Sequence, residues 1–265
     1  MKPTFILGVG AQKAGTSWLY QTLKNQNCCN MGFRKEYHVW DAKLSELGKH
    51  FVVPLKEARN REAIMRKLMQ KSDLVYISYF KWLVNEKTTI TGDITPSYAY
   101  LDAKAFSHIK ALLEKHSFDV KVIFIMRDPV ERMWSMLRMN KRHAAKKGII
   151  VGDLELQQQM LGCCDDKQAF ARTNYISTIK NLEAVFPQSS IHYKIYEDLF
   201  NYASLEKLQT FLGFPLEGVD FEKRVNVSSS ASLPSDIRAK VKKQLIEQYE
   251  FCNKRFPKTK KLWVD

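Results

Sequence analysis

Short runs of uninterrupted apolar residues alternate along this chain with longer stretches whose apolar positions recur every three or four residues. Residues 4–10 open the pattern with Phe5, Ile6, Leu7 and Val9, a partly β-branched run that reads as a buried strand. Residues 120–126 are almost wholly apolar and predict a central parallel strand, covered on both faces. Residues 88–92 and 191–195 predict two further strands, and residues 30–33 a short one. Helical spacing follows the first strand at Trp18, Leu19 and Leu23. It returns at 57–70, 103–116, 170–186, 205–212 and from Pro234 to about residue 256, with another helix beginning near Val130. In 57–70 the inner positions are Ala58, Ile64, Leu68 and Met69, and the Arg and Lys residues form a solvated face. The aromatic stretch 77–83 fits a helix or the wall of a cleft. Glu197 and Asp198 cap the element that Gly213 ends. Strands alternating with helices predict an α/β chain with a central parallel sheet flanked by helices on both faces.

The period fades over 140–168, which reads as a mobile or helical insertion near a cleft mouth within a single 1–265 domain. Lys and Arg number 42 against 28 acidic residues, a net charge of +14 that favours anionic partners without choosing among them. The five cysteines fall into two adjacent pairs and a singleton. That spacing argues against a disulfide framework and a cysteine zinc site, and suggests reduced thiols in a cytoplasmic protein. The N-terminus reads as a first strand, not a signal peptide, and no run reaches the length of a membrane span.

The chemistry gathers where strands end. Gly10 to Gly15 is a glycine-bounded turn between a strand and a helix, where backbone N–H groups and a helix N-terminus converge on an anion. Its glycines have P-loop separation, but Thr16 stands where a P-loop has its lysine, and the lysine lies inside the loop at Lys13. Glu36 follows the short second strand and Arg127 the central one. In a parallel sheet these clusters meet beyond the carboxyl ends of the strands. Each residue also has a plain reading. Glu36 pairs with Arg34 or Lys35, His38 is a packed histidine, and Arg127 with Asp128 is a strand-end ion pair. Arg172 is a surface cation, with a donor or acceptor contact as its alternative, and Tyr76, Tyr79, Phe80 and Trp82 belong to the core rather than to an acceptor platform.

Together these motifs resemble a sulfotransferase that uses 3'-phosphoadenosine-5'-phosphosulfate (PAPS), closest to the heparan-sulfate and bacterial-type branch, with its P-loop-NTPase-like fold. Gly10-Ala-Gln-Lys-Ala-Gly-Thr16 is similar to the family's 5'-phosphosulfate loop, and Arg127-Asp-Pro-Val-Glu-Arg-Met-Trp-Ser135 to its 3'-phosphate motif. Glu36-Tyr-His-Val-Trp-Asp41 resembles the segment supplying the base, and Asp93-Ile-Thr-Pro-Ser-Tyr98 a neighbouring acidic stretch. Tyr175 to Pro187 and Tyr196 to Leu199 extend the likeness, which runs from Thr4 to about Pro215. The resemblance implies that Gln12, Lys13, Ala14, Gly15, Thr16, Ser17 and Trp18 bind the donor's phosphosulfate end. Arg127 and Ser135 would hold its 3'-phosphate, with Lys13 at the bridging oxygen and Glu36 as base. Ile94 departs from a family lysine, and the branch's Lys-Gly-Arg loop is missing, with Lys223-Arg224 or the 226–232 loop as stand-ins.

On this reading burial lifts Glu36 toward the working pH range as general base, with His38 the rival. Lys13 and the loop amides stabilise the leaving phosphate, and no metal is needed. The expected partner is a hydroxyl acceptor, anionic or carbohydrate, rather than nucleic acid or a membrane. A P-loop nucleotide or small-molecule kinase and a non-catalytic polyanion-binding module are the competing readings.

Overall fold

The computed structural model describes residues 2–222 and 232–264. Four strands, β1 (Thr4–Gly10), β2 (Ile90–Ile94), β3 (Asp119–Met126) and β4 (Ile191–Ile195), form one parallel sheet in the order β2-β1-β3-β4. The chain leaves β1 toward β2 and leaves β3 toward β4, in opposite directions, so a crevice opens between β1 and β3 at their carboxyl ends. The apolar runs are buried as their composition requires: Phe5, Ile6, Leu7, Val9, Val122 and Phe124 are fully covered. Gly8 lets β1 and β2 approach, because a Cβ there would lie 2.8 Å from Ile94 Cγ2.

Thirteen helices among the described residues flank the sheet. Before β3 come α1 (Thr16–Lys24), α2 (Trp40–Leu44), α3 (Arg61–Lys71), α4 (Asp73–Leu83) and α5 (Ala103–Lys115). Between β3 and β4 lie α6 (Pro129–Ala145), α7 (Asp153–Leu161), α8 (Lys167–Ala171) and α9 (Tyr175–Glu183). After β4 follow α10 (Tyr202–Leu212), α11 (Ser235–Gln244), α12 (Ile246–Arg255) and α13 (Thr259–Leu262). No helix among the described residues is long and apolar enough to cross a membrane. All five cysteines are free.

Several expectations from the pattern are corrected. Residues 30–33 form no strand; the pairing there is a single bridge between Cys29 and Ile90. β2 starts two residues later than its apolar run, since Asn85 Oδ1 accepts the Thr88 N–H and binds Thr88 into the preceding turn. In α3 only Met69 is buried, while Ile64 and Leu68 are each 45% exposed. That helix is instead tied down through polar groups. The cap of α10 is Asn201, which accepts from Ser204 N–H at 2.9 Å; Glu197 and Asp198 sit in the preceding 3-10 turn. The stretch 170–186 divides into α8 and α9, and the expected last helix breaks at the buried Leu245. The region 140–168 comprises the end of α6, all of α7 and the start of α8. Trp82 is 78% exposed rather than core, whereas Tyr76 and Phe80 are fully buried. Lys223, Arg224 and all but the last residue of the 226–232 loop lie outside the described residues.

Candidate active site

A cavity of about 480 Å³ sits at the carboxyl edge of the sheet. The segments following all four strands contribute to it: Gln12 and Lys13 after β1, Pro96 and Ser97 after β2, Arg127 after β3, Tyr196 after β4. The clusters that follow strands in the sequence therefore do share one cleft.

The glycine loop forms the first wall. Gly15 takes a φ of 89°, and a Cβ on it would lie 2.7 Å from Leu199 Cδ2, so both backbone and space demand glycine. Gln12, Lys13, Gly15, Thr16, Ser17 and Trp18 line the cleft. Ala14 does not: it is buried, and its N–H is spent on Ala11 O at 3.2 Å. Lys13 holds a positive φ of 69°, one of three such non-glycine residues among those described. His38, with a φ of 52°, is another. Left-handed backbone at two cleft-lining side chains is strain stored where a fixed geometry is needed. Burial, aided by Arg142, Arg127, Arg138 and Lys35, pushes the Lys13 ammonium down from 10.5 to about 8.

The second wall comes from the end of β3 and from α6. Arg127 donates to Lys13 O at 3.2 Å and to Glu131 at 3.3 Å, and its guanidinium lies 4.7 Å over the Tyr196 ring. Its charge partner is thus Glu131 and not Asp128, which caps α6 by accepting from Glu131 N–H at 2.8 Å. Ser135, two turns into α6, is buried at the cleft wall with Arg138 and His143 beside it. Two polar atoms in these walls, Arg127 Nε and Gln12 Oε1, are buried without a hydrogen-bond partner among the described residues.

The third wall is the irregular segment 34–39. Ile94 N–H at the end of β2 donates to Lys35 O at 3.3 Å, and side chains hold the rest. Thr95 Oγ1 accepts from Tyr37 N–H at 3.0 Å and in turn donates to the buried Asp93 at 2.6 Å. From α3, Arg66 donates to Tyr37 O at 2.9 Å and Gln70 to His38 O at 2.7 Å. The polar face of that helix is a brace for the site and not only a solvated surface. Replacing Thr95 by Val strands a buried N–H, a loss of about 1–3 kcal/mol, and should lower turnover about tenfold. Binding of an anionic nucleotide, measured by calorimetry, should be unchanged. Equal losses in both would make Thr95 a general structural residue.

Three ionisable groups meet at the end of this brace. His38 Nδ1 lies 2.6 Å from Asp41 Oδ2, its Nε2 lies 3.3 Å from Glu36 Oε2, and its ring stacks on Phe51 at 3.6 Å. Ser97 Oγ donates to Asp41 at 2.5 Å. Burial works against the imidazolium, but the bonds to Asp41 and Glu36 outweigh it and raise His38 above its ordinary value. Glu36 departs from expectation. Burial alone would lift it, yet the His38 hydrogen bond and the Lys35 ammonium hold its carboxyl down at about 2. It is ionised throughout the neutral range.

Lys35 is the residue that sequence reasoning passed over, noting it only as a salt-bridge partner. Its Nζ donates to Thr16 Oγ1 and Ser17 Oγ, each at 3.1 Å, and to Glu36 Oε1 at 2.8 Å. One cation thereby joins the glycine-loop wall to the carboxylate wall. Arg172, expected at the surface, is 7% exposed and lines the cleft.

A family model described as sulfotransferase domain matches residues 3–260. Among solved structures, a sulfotransferase from Alicyclobacillus acidocaldarius superposes with a TM-score of 0.63 at 17% identity, covering 96% of this chain and 95% of that one. A sulfotransferase domain from the curacin biosynthetic pathway gives a TM-score of 0.49 at 17% identity, with 92% and 98% covered. The first of these likenesses concerns the fold. No curated protein matches the chain significantly.

Proposed function

The chain belongs to the sulfotransferase domain family, and from that premise we propose that it transfers a sulfuryl group from PAPS to a hydroxyl acceptor bound in the cleft. One observation carries this reading. A glycine loop and arginine wall suited to phosphates faces, across a single cavity, a carboxylate and imidazole suited to a hydroxyl.

The residues fit such a donor. Arg127 Nε is a buried N–H without a hydrogen-bond partner among the described residues, suited to an anionic oxygen. Arg127 and Ser135 would hold the 3'-phosphate, and the edges of Trp18 and Phe200, whose rings meet at 5.5 Å, would flank the nucleoside. The donor supplies an activated sulfuryl group on an anionic leaving phosphate. Lys13 and the loop amides are preorganised charge for that phosphate, and cost no reorganisation when charge develops.

Glu36 takes the proton of the acceptor hydroxyl. A carboxylate held near 2 is a weak base, but the hydroxyl becomes acidic as its oxygen bonds to sulfur. Lys35 adds a coupling. An anion at the Thr16–Ser17 end competes for the ammonium that Glu36 now shares, and weakening that pair strengthens the base. His38, fixed by Asp41, orients the carboxylate through Nε2.

Ligand preference tests this against a P-loop kinase. Adenosine 3',5'-bisphosphate should stabilise the protein and ATP should not, since ATP leaves the 3'-phosphate groups of the site unpaired. At about a hundred times its dissociation constant a ligand adds roughly 2.7 kcal/mol. At about 2–4 °C per kcal/mol, the melting temperature should rise by about 5–10 °C. The shift should persist in EDTA, and Arg127→Ala should remove most of it. A magnesium-dependent ATP shift with no bisphosphate response would establish the kinase instead.

A further inference from the structure

Arg172 is a charge that donor binding leaves unused. It follows α8 directly, is 7% exposed, and lines the cleft alongside Glu36, His38 and Ser97. Its Nε has no hydrogen-bond partner among the described residues, and its guanidinium lies 5.7 Å over the ring of Tyr100. Nearby Arg132 gives the contrast. It is wholly buried, yet its Nε donates to Thr173 Oγ1 at 2.8 Å and its guanidinium to Ala169 O at 3.1 Å. The same stretch of chain satisfies one buried arginine and leaves the other open toward the cavity, although an unmatched buried cation is expensive.

Placement points the same way. Lys13, Lys35, Arg127, Arg138 and Arg172 line the cleft, and Glu36 is its single lining carboxylate among the described residues. The charges that act on Lys13 are those of Arg142, Arg127, Arg138 and Lys35, so these gather at the loop end. Arg172 belongs to the opposite wall. Tyr100 shares the 3-10 turn Pro96–Tyr100 with Ser97, and Ser97 donates to the Asp41 that fixes His38. The open guanidinium therefore adjoins the base rather than the phosphates.

We propose that Arg172 forms an oxyanion subsite on the acceptor side, so that the acceptor is a hydroxyl compound carrying its own oxyanion. The proposal rests on the donor reading above. The planar guanidinium fork receives a carboxylate or ester oxyanion, and the acceptor's hydroxyl is thereby turned toward Glu36. Arg172 is a specificity-determining residue in this scheme, selecting hydroxy acids over neutral alcohols.

The test uses protein labelled at arginine Nε and saturated with adenosine 3',5'-bisphosphate, with the Arg172 signal assigned by its loss in Arg172→Gln. Titration with para-hydroxybenzoate should move that signal saturably, and the neutral para-hydroxybenzyl alcohol should leave it in place. Inorganic sulfate should bind at least about tenfold more weakly than the hydroxy acid, since it gains nothing from the base. A silent Arg172 signal, an equal response to the alcohol, or sulfate binding as tightly as the hydroxy acid would each overturn the proposal. Arg172→Gln should keep the bisphosphate's melting shift, because the cations that act on Lys13 at the loop end do not include Arg172. Loss of that shift would overturn the assignment of Arg172 to the acceptor side. Failure of the bisphosphate to stabilise the wild-type protein removes the donor reading itself; a normal bisphosphate shift with a silent Arg172 removes only the subsite.

Discussion

Glu36→Gln should bind adenosine 3',5'-bisphosphate as tightly as the wild type and turn over at least about a hundredfold more slowly, the usual cost of losing a general base. The amide is isosteric and keeps an oxygen for Lys35, so the loop wall should hold its shape. What disappears is the only carboxylate lining the cavity among the described residues. Stopped-flow transfer with labelled donor separates binding from chemistry. Turnover within about threefold of wild type would pass the base to His38.

The surroundings of His38 argue against that outcome. Its two ring nitrogens face Asp41 and Glu36, both acidic, and they hold the imidazolium above its ordinary value. That shift favours the protonated ring, which has no lone pair to offer, so His38 is better suited to bridge the two carboxylates than to act as base. His38→Asn should therefore disturb Glu36 more than it disturbs proton transfer directly.

The fold was legible where burial is complete and periodic. β3 and β4 sit within one residue of the apolar runs that announce them, because a strand covered on both faces must be almost wholly apolar. Legibility fails where polar side chains replace the ladder. The short strand expected at 30–33 does not form, and the pairing beside it is one bridge between Cys29 and Ile90. The helix at 61–71 misleads through Ile64 and Leu68, since its task is done by Arg66 and Gln70 reaching the backbone of Tyr37 and His38.

The site divides in the same way. Lys13 and Arg127 could be placed because each follows a strand, and a parallel sheet brings strand ends together; Glu36 lines the same cleft although the short strand expected before it does not form. Arg172 and Lys35 could not be placed. A lone arginine or lysine in sequence is ordinarily solvated, and nothing local marks the two that turn inward. Nor could the state of Glu36 be read. Burial is visible in its aromatic neighbours, but the pair with Lys35 and the bond from His38 depend on a backbone bend at His38 that no pattern encodes.

Lys13→Met should make the ligand-free protein more stable and nearly abolish transfer. The ammonium stands at about 8 in the folded chain against 10.5 unfolded, so the fold disfavours its charged form. Such a shift corresponds to at most about 3 kcal/mol, and less where solvent reaches the side chain. The sign follows from the direction. Below about pH 8 the lysine is charged in both states and the folded chain bears the full cost, so the variant's advantage is greatest there. Between about 8 and 10.5 the folded lysine sheds its proton first, and the advantage should shrink to nothing. Thermal melts at successive pH values measure this directly. A variant less stable than wild type at pH 7, or an advantage that ignores pH, would refute the strained cation. Turnover should fall about 10²–10³-fold, as when one preorganised oxyanion donor is removed. Donor affinity in the wild type should weaken above pH 8, because a neutral Lys13 must take up a proton to bind, and the methionine variant should lose that dependence. The gain in stability and the loss of activity then share one cause. The loop holds a half-buried positive charge with no carboxylate partner among the described residues, at a cost that an arriving anion relieves.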